Sequence, residues 1–137
     1  GAKVYAYEEE QVLCESAEKN VSAQAGRPYV VKVDEYLRDN ALITEGDISF
    51  KLLATPGHTI GSCCYYFEEA GILICGDTLF QASVGRTDLP TGSESVMLRS
   101  IDEKLMCLPD ETKVYPGHGP STTIGYERVN NPFLYEF

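Results

Sequence analysis

Four consecutive apolar residues, Ile72, Leu73, Ile74 and Cys75, lie between Gly71 and Gly76 and run directly into Asp77. A run that short, bounded by turn formers, reads as a strand, and one that is apolar throughout reads as a strand buried on both faces. It belongs at the centre of a sheet, so the fold must supply layers to cover it. The aspartate at its end sharpens the constraint. Burying a carboxylate there costs several kcal/mol unless a partner or a metal neutralises it, and a divalent cation is one of the few local charges large enough.

The surrounding sequence supplies the rest of a sheet. Residues 41–44, 47–54 and 62–67 are further strand-like runs, separated from one another and from 72–75 by Glu45-Gly46, Pro56-Gly57 and Glu69-Ala70-Gly71. Residues 47–52 alternate polar and apolar, as a half-buried strand does. Upstream, residues 3–7 and 29–33 read as strands, 8–16 as an acidic helix including Val12 and Leu13, and 17–28 as a polar loop. Downstream, residues 81–92 are rich in turn formers and read as one long loop. Ser93 or Ser95 can cap a helix reaching about Leu108, with Met97, Ile101, Leu105 and Leu108 on one apolar face. A last strand over 112–115 and a terminal helix over 122–129 complete the pattern. Strands followed by helices laid on them predict an α/β layer protein with a mostly antiparallel or mixed sheet.

Composition excludes several function classes. The 137-residue chain has 43% hydrophobic residues, enough for one domain with a real core. Its formal charge of −10 carries no basic stripe to meet phosphates, so nucleic acid is not an expected partner. No apolar run approaches the roughly 20 residues of a membrane-spanning helix, and residues 1–7 have neither the basic nor the apolar region of a signal peptide. No membrane partner is expected, and the expected compartment is the cytoplasm. Cys14, Cys63, Cys64, Cys75 and Cys107 are an odd count without Cys-x-x-Cys spacing, and they read as buried free thiols with a structural role.

The chain has two histidines, and both occupy the same local setting: Thr55-Pro56-Gly57-His58-Thr59 and Tyr115-Pro116-Gly117-His118-Gly119-Pro120. A Pro-Gly turn after a strand bends the backbone sharply and sets the next side chain at the sheet's rim. Singly, each residue has an ordinary reading. A histidine can be a hydrogen-bonded structural residue, and Asp77 can be a helix cap or a turn former. Jointly, two imidazoles and one carboxylate at strand ends are sound ligands for zinc, iron or manganese.

The strings Thr55-Pro56-Gly57-His58-Thr59, Gly76-Asp77-Thr78-Leu79-Phe80 and Gly117-His118-Gly119-Pro120 resemble, in order, the three downstream motifs of the metallo-β-lactamase superfamily. Gly85-Arg86-Thr87-Asp88-Leu89-Pro90 and the stretch from Thr122-Thr123-Ile124-Gly125 to Asn131-Pro132-Phe133-Leu134 are similar to its short, glyoxalase II-like branch of hydroxyacylglutathione hydrolases. The resemblance implies the metallo-β-lactamase αβ/βα sandwich and two divalent ions, zinc first and iron or manganese as alternatives. By it His58 belongs to the first metal, Asp77 bridges both and takes part in catalysis, and His118 belongs to the second. The superfamily's upstream motif, His-x-His-x-Asp-His, occurs nowhere in residues 1–137. Those residues are therefore expected to be the C-terminal portion of a single such domain, with half a site and little activity alone. An open sheet face would then be covered by the N-terminal portion or by a copy of the chain.

The activity so implied is hydrolysis of a small-molecule thioester by a metal-activated water. Arg86 either binds a substrate carboxylate or pairs with Asp88. Tyr115 either lines the pocket or packs. Thr59 and Thr78, each next to a ligand, either hydrogen-bond the ligands or cap loops, and Glu127 and Arg128 read as a solvated face. Two other readings remain: a persulfide dioxygenase with a single iron, which shares this fold, and a non-catalytic structural or interaction fragment.

Overall fold

The computed structural model describes residues 1–135, with the side chain of Tyr135 left out. Its centre is a mixed six-stranded sheet. β1 (Tyr5–Tyr7) pairs in parallel with β2 (Glu35–Leu37) as a separate two-stranded ribbon. The main sheet holds β3 (Leu42–Glu45), β4 (Ile48–Ala54), β5 (Cys63–Phe67) and β6 (Ile72–Gly76), each antiparallel to the next. After the small hairpin of β7 (Leu79–Phe80) and β8 (Ser83–Val84) and the helix α2 (Glu94–Ser100), β9 (Lys113–Pro116) returns parallel to β6. β10 (Thr122–Thr123) closes the edge, giving the order β10-β9-β6-β5-β4-β3.

The helices sit where the periodicity places them. Ser93 is extended (φ −159°, ψ 120°) and its hydroxyl accepts from the Val96 N–H, which caps α2. Met97, Ile101 and Leu105 face the sheet without exposure, the last two through a wider π-type turn over Ile101–Leu105. Thr123 caps α3 (Ile124–Asn130) in the same way. The core lies between these helices and one sheet face, and its sheet side is Leu53, Cys64, Leu73, Cys75 and Val114.

The opposite sheet face is only partly covered, which corrects the expectation for residues 72–75. Leu73 and Cys75 are fully buried, whereas Ile74 is 41% exposed. Leu52, Tyr65, Ile74 and Tyr115 are register partners in one row across four strands of that face. Exposure along the row goes from 0% at Leu52 to 41% at Ile74 and 39% at Tyr115. The chain before β2 covers this face toward the β3–β4 end and the rim: the Tyr5 ring lies 6.3 Å from Phe50, its hydroxyl bonds Glu45, and β1 lies over Cys63 and Tyr65 of β5.

Four other expectations are corrected. Residues 29–33 form no strand, because β1 takes residues 35–37 as its partner and leaves Tyr29, Val30 and Val31 exposed. The predicted helix over 8–16 is one short turn at Glu8–Glu10 and a four-residue helix, α1 (Gln11–Cys14), which buries Leu13 and leaves Val12 out. Glu127 is not solvated. It is fully buried and accepts from the Ala82 N–H (2.8 Å), the Asn131 amide (3.0 Å) and the Thr122 hydroxyl, while Arg128 donates to the Met106 and Leu108 carbonyls and pairs with Asp110. Of the five free cysteines only Cys64 and Cys75 are buried; Cys14 and Cys63 are half-buried, and Cys107 lies exposed past the π-type turn. Burial pushes the Cys75 thiol up to about 11 and the Cys64 thiol well above its ordinary value. Among the described residues no helix is long and apolar enough to cross a membrane.

Candidate metal centre

The ends of β4, β6 and β9 lie along one rim of the sheet, and each delivers one of the three residues in question. After β4 the chain turns at Pro56-Gly57. Gly57 has φ +146°, and a Cβ there would stand 2.3 Å from the Met97 Cα, so the position requires glycine on both counts. The Gly57 carbonyl accepts from the Ser93 N–H (2.7 Å), and the Pro56 carbonyl from the Ser100 hydroxyl (2.8 Å), which fastens the turn to α2.

His58 leaves this turn with its side chain 17% exposed. Its Nδ1 donates to the Arg86 carbonyl at 2.7 Å. A carbonyl only accepts, so Nδ1 carries the proton, and in the neutral ring Nε2 presents a lone pair. That lone pair faces Asp77 Oδ2 at 3.3 Å. Two lone pairs facing each other at that distance repel unless a proton or a metal cation lies between them, and a ring oriented by a carbonyl on its far nitrogen is the usual setting of a metal-binding histidine.

Asp77 follows β6 directly. Its second oxygen, Oδ1, is 2.7 Å from His118 Nδ1, so each carboxylate oxygen faces a different imidazole. The approach of the third strand depends on Gly117, where a Cβ would come within 2.6 Å of Asp77 Oδ1. The Gly117 N–H donates to the Gly76 carbonyl (2.7 Å) and continues the β6–β9 pairing beyond the strands. His118 itself is 76% exposed and meets the Phe80 ring edge-on at 5.9 Å.

The donor set therefore fits a divalent cation in kind: two imidazoles and a carboxylate, converging from three strand ends. It is not a closed cage. Among the described residues no three histidine, cysteine or acidic side chains stand ready-made around an ion, because here the donors face one another. A cavity of about 270 Å3 between β1 and the rim touches both His58 and Asp77. The largest described cavity, about 520 Å3, lies at the β3–β4 end by Lys51 and Cys107 and touches none of the three residues, so the chemistry and not the volume locates the site.

The remaining candidates are placed as follows. The Thr59 hydroxyl bonds Glu10 (2.8 Å) and Ser62, and Thr78 is buried against Thr55; among the described residues neither hydroxyl bonds an imidazole or Asp77. Arg86 is bidentate with Asp88 at 2.7 and 2.9 Å, both side chains exposed, so its contribution beside His58 comes from its carbonyl. Tyr115 lies in the row of the open sheet face. The sequence reading missed Phe80, Glu10 and the Arg86 carbonyl. Phe80 had a signal in its place three residues after Asp77, but Glu10 is 49 positions from the threonine it meets and had none.

Comparison with known proteins decides the family. The sequence model of the metallo-beta-lactamase superfamily matches residues 1–118. The chain belongs to that superfamily. Hydroxyacylglutathione hydrolase GloC of Haemophilus influenzae is 38% identical over 122 residues, covering 85% of this chain and 58% of that protein. The crystal structure of the BLEG-1 B3 metallo-beta-lactamase superposes with a TM-score of 0.90 at 41% identity, over 96% of this chain and 65% of the other. That of TTHA1623 in a di-iron-bound form gives 0.82 at 35% identity, with the same shares covered. The mixed sheet with helices on it is thus the superfamily's fold, and its relatives include metal-dependent hydrolases. The chain spans about half the length of the curated relatives it matches.

Proposed function

We propose that His58, Asp77 and His118 are this chain's share of a metal site in a thioester hydrolase of the hydroxyacylglutathione type. The observation that carries the reading is the placement of one Pro-Gly-His imidazole against each oxygen of Asp77. GloC, a hydrolase by name, and the di-iron form of TTHA1623 support it as relatives. Two divalent ions are the proposed cofactors, zinc first, since this ligand chemistry accepts zinc, iron and manganese.

Bound there, such ions polarise a carbonyl and lower the pKa of a water. The chain's own residues do the positioning. The Arg86 carbonyl fixes the His58 tautomer, and Gly117 lets His118 approach. Asp77, with an oxygen toward each side, sets the spacing of the two imidazoles and is placed to orient the attacking water. Water adds to the acyl carbon as it gives up one proton to solvent, the C–S bond breaks, and the thiolate leaves without needing a strong general acid. The remaining ligands come, in this reading, from a His-x-His-x-Asp-His segment whose layer covers the open face at Ile74 and Tyr115, supplied by the same polypeptide or by a partner.

The test joins or mixes the chain with such a segment from a relative. About two zinc or iron ions per chain and hydrolysis of a hydroxyacylglutathione are expected, both lost in Asp77→Ala. One iron per chain with oxygen consumed on a persulfide would move the assignment to a dioxygenase. A monomer that takes up no metal even with the segment present would leave a structural role.

A further inference from the structure

His58 borders a second cavity, walled partly by the segment around α1. It holds about 270 Å3 and lies between the segment after α1 and the loop after β8, without touching Asp77. Leu13, Val21, Val31, Leu89 and Pro90 wall it, so its surface is mainly apolar. Small-molecule sites run to about 300–1,000 Å3, and a space of this size takes one arm of a ligand.

The charge beside it is specific. Lys19 borders the cavity, is exposed, and is ion-paired with no carboxylate among the described residues. Arg86, whose carbonyl bonds His58, is already engaged by Asp88. The bordering acid, Glu10, accepts from the hydroxyl of Thr59, which also borders the cavity, at the wall shared with His58. The wall carrying Lys19 is also built in advance. The Asn20 amide donates to the Leu13 and Tyr29 carbonyls, both at 2.9 Å, and accepts from the Ser22 N–H, while the Val31 N–H donates to the Cys14 carbonyl at 2.7 Å. These bonds hold Val21 at φ +62°, a conformation that a β-branched residue seldom adopts without support.

We infer that this cavity receives one arm of the substrate, a short apolar chain ending in a carboxylate, with Lys19 as the carboxylate's partner. The inference rests on the thioester reading and adds to it a substrate class and a specificity residue. An anionic arm seated there keeps the reacting carbonyl on the His58 side, and the preformed wall spares the cost of ordering a loop on binding.

Two measurements separate this inference from the reading beneath it. In the first, the full chain of residues 1–137 is titrated with 6-(methylthio)hexanoate, which cannot be hydrolysed, and with its methyl ester, while methyl resonances are followed. The carboxylate is expected to shift the Leu13, Val21, Val31 and Leu89 methyls and to bind about fivefold more tightly than the ester. Lys19→Arg keeps that preference and Lys19→Glu inverts it. Unshifted methyls, or equal binding of acid and ester, would overturn the inference. In the second, the metal-loaded hydrolase is given thioesters with carboxylate-ended and neutral arms. The kcat/KM ratio between them is expected to fall about fivefold in Lys19→Glu, mainly through KM. Thioester turnover with no such preference overturns the inference alone. Methyl shifts without any thioester turnover keep the carboxylate site and overturn the hydrolase reading.

Discussion

The turn at Pro56-Gly57-His58 is clamped between a strand and a helix, whereas the turn at Pro116-Gly117-His118 is attached on one side only. The first is tied to α2 through the Pro56 and Gly57 carbonyls, and its imidazole is oriented by a carbonyl and mostly covered. The second rests on Gly76 and Asp77, and its imidazole is mostly exposed. The same tripeptide thus gives the same bend twice, and the packing around it decides whether the imidazole is held and covered or left mostly exposed.

That contrast can be broken at four points. The largest effect is expected at Gly57: Gly57→Ala combines a positive φ with a clash against the Met97 backbone and should cost about 3 kcal/mol or more in urea unfolding. His58→Ala should lower zinc affinity in the completed site by about a hundredfold in calorimetric titration, and His118→Ala by about tenfold, because only the first ring is held by a carbonyl. Equal losses would show that both rings are fixed alike. Gly119→Ala, at φ +79° with open space around it, should cost about 1 kcal/mol, the strain of the left-handed conformation alone. The smallest effects belong to the thiols. With the Cys75 thiol raised from 9.0 to about 11 by burial, the unfolded chain ionises first, so stability falls as pH climbs from about 9 toward 11. At pH 8 iodoacetamide should label Cys107 well before Cys64 or Cys75. Peptide mapping would show a reversed order if those two were accessible.

Much of this was legible in the sequence, where short-range chemistry determines the outcome. Met97, Ile101 and Leu105 were readable as one buried helix face because their spacing is set by the helix itself. The strand-end positions of His58, Asp77 and His118 followed from turn residues beside apolar runs. What failed depends on neighbours distant in sequence. Ile74 was read as buried because an all-apolar run says nothing about whether a second layer is present, and it stands on the open face. Residues 29–33 have strand-like composition, but the pairing went to Glu35–Leu37. Glu127 reads as solvated in the sequence because its partners, Ala82 and Asn131, come from a hairpin turn and from the residue after α3.

The single parallel pairing of the main sheet has a consequence for how the molecule forms. From β3 to β6 each strand meets its successor through a short turn, and such contacts are made early because little chain must be closed. β9 reaches β6 only after the β7–β8 hairpin and α2 have intervened, and Asp77 and His118 lie just beyond that junction. A chain that has zipped its hairpins but not yet closed this crossover has most of its strands, with His58 opposite one oxygen of Asp77 and the other oxygen still without His118. The approach of His118 to Asp77 during refolding is therefore a clock for the slowest long-range contact, lagging the signal of the sheet by the time that closure takes.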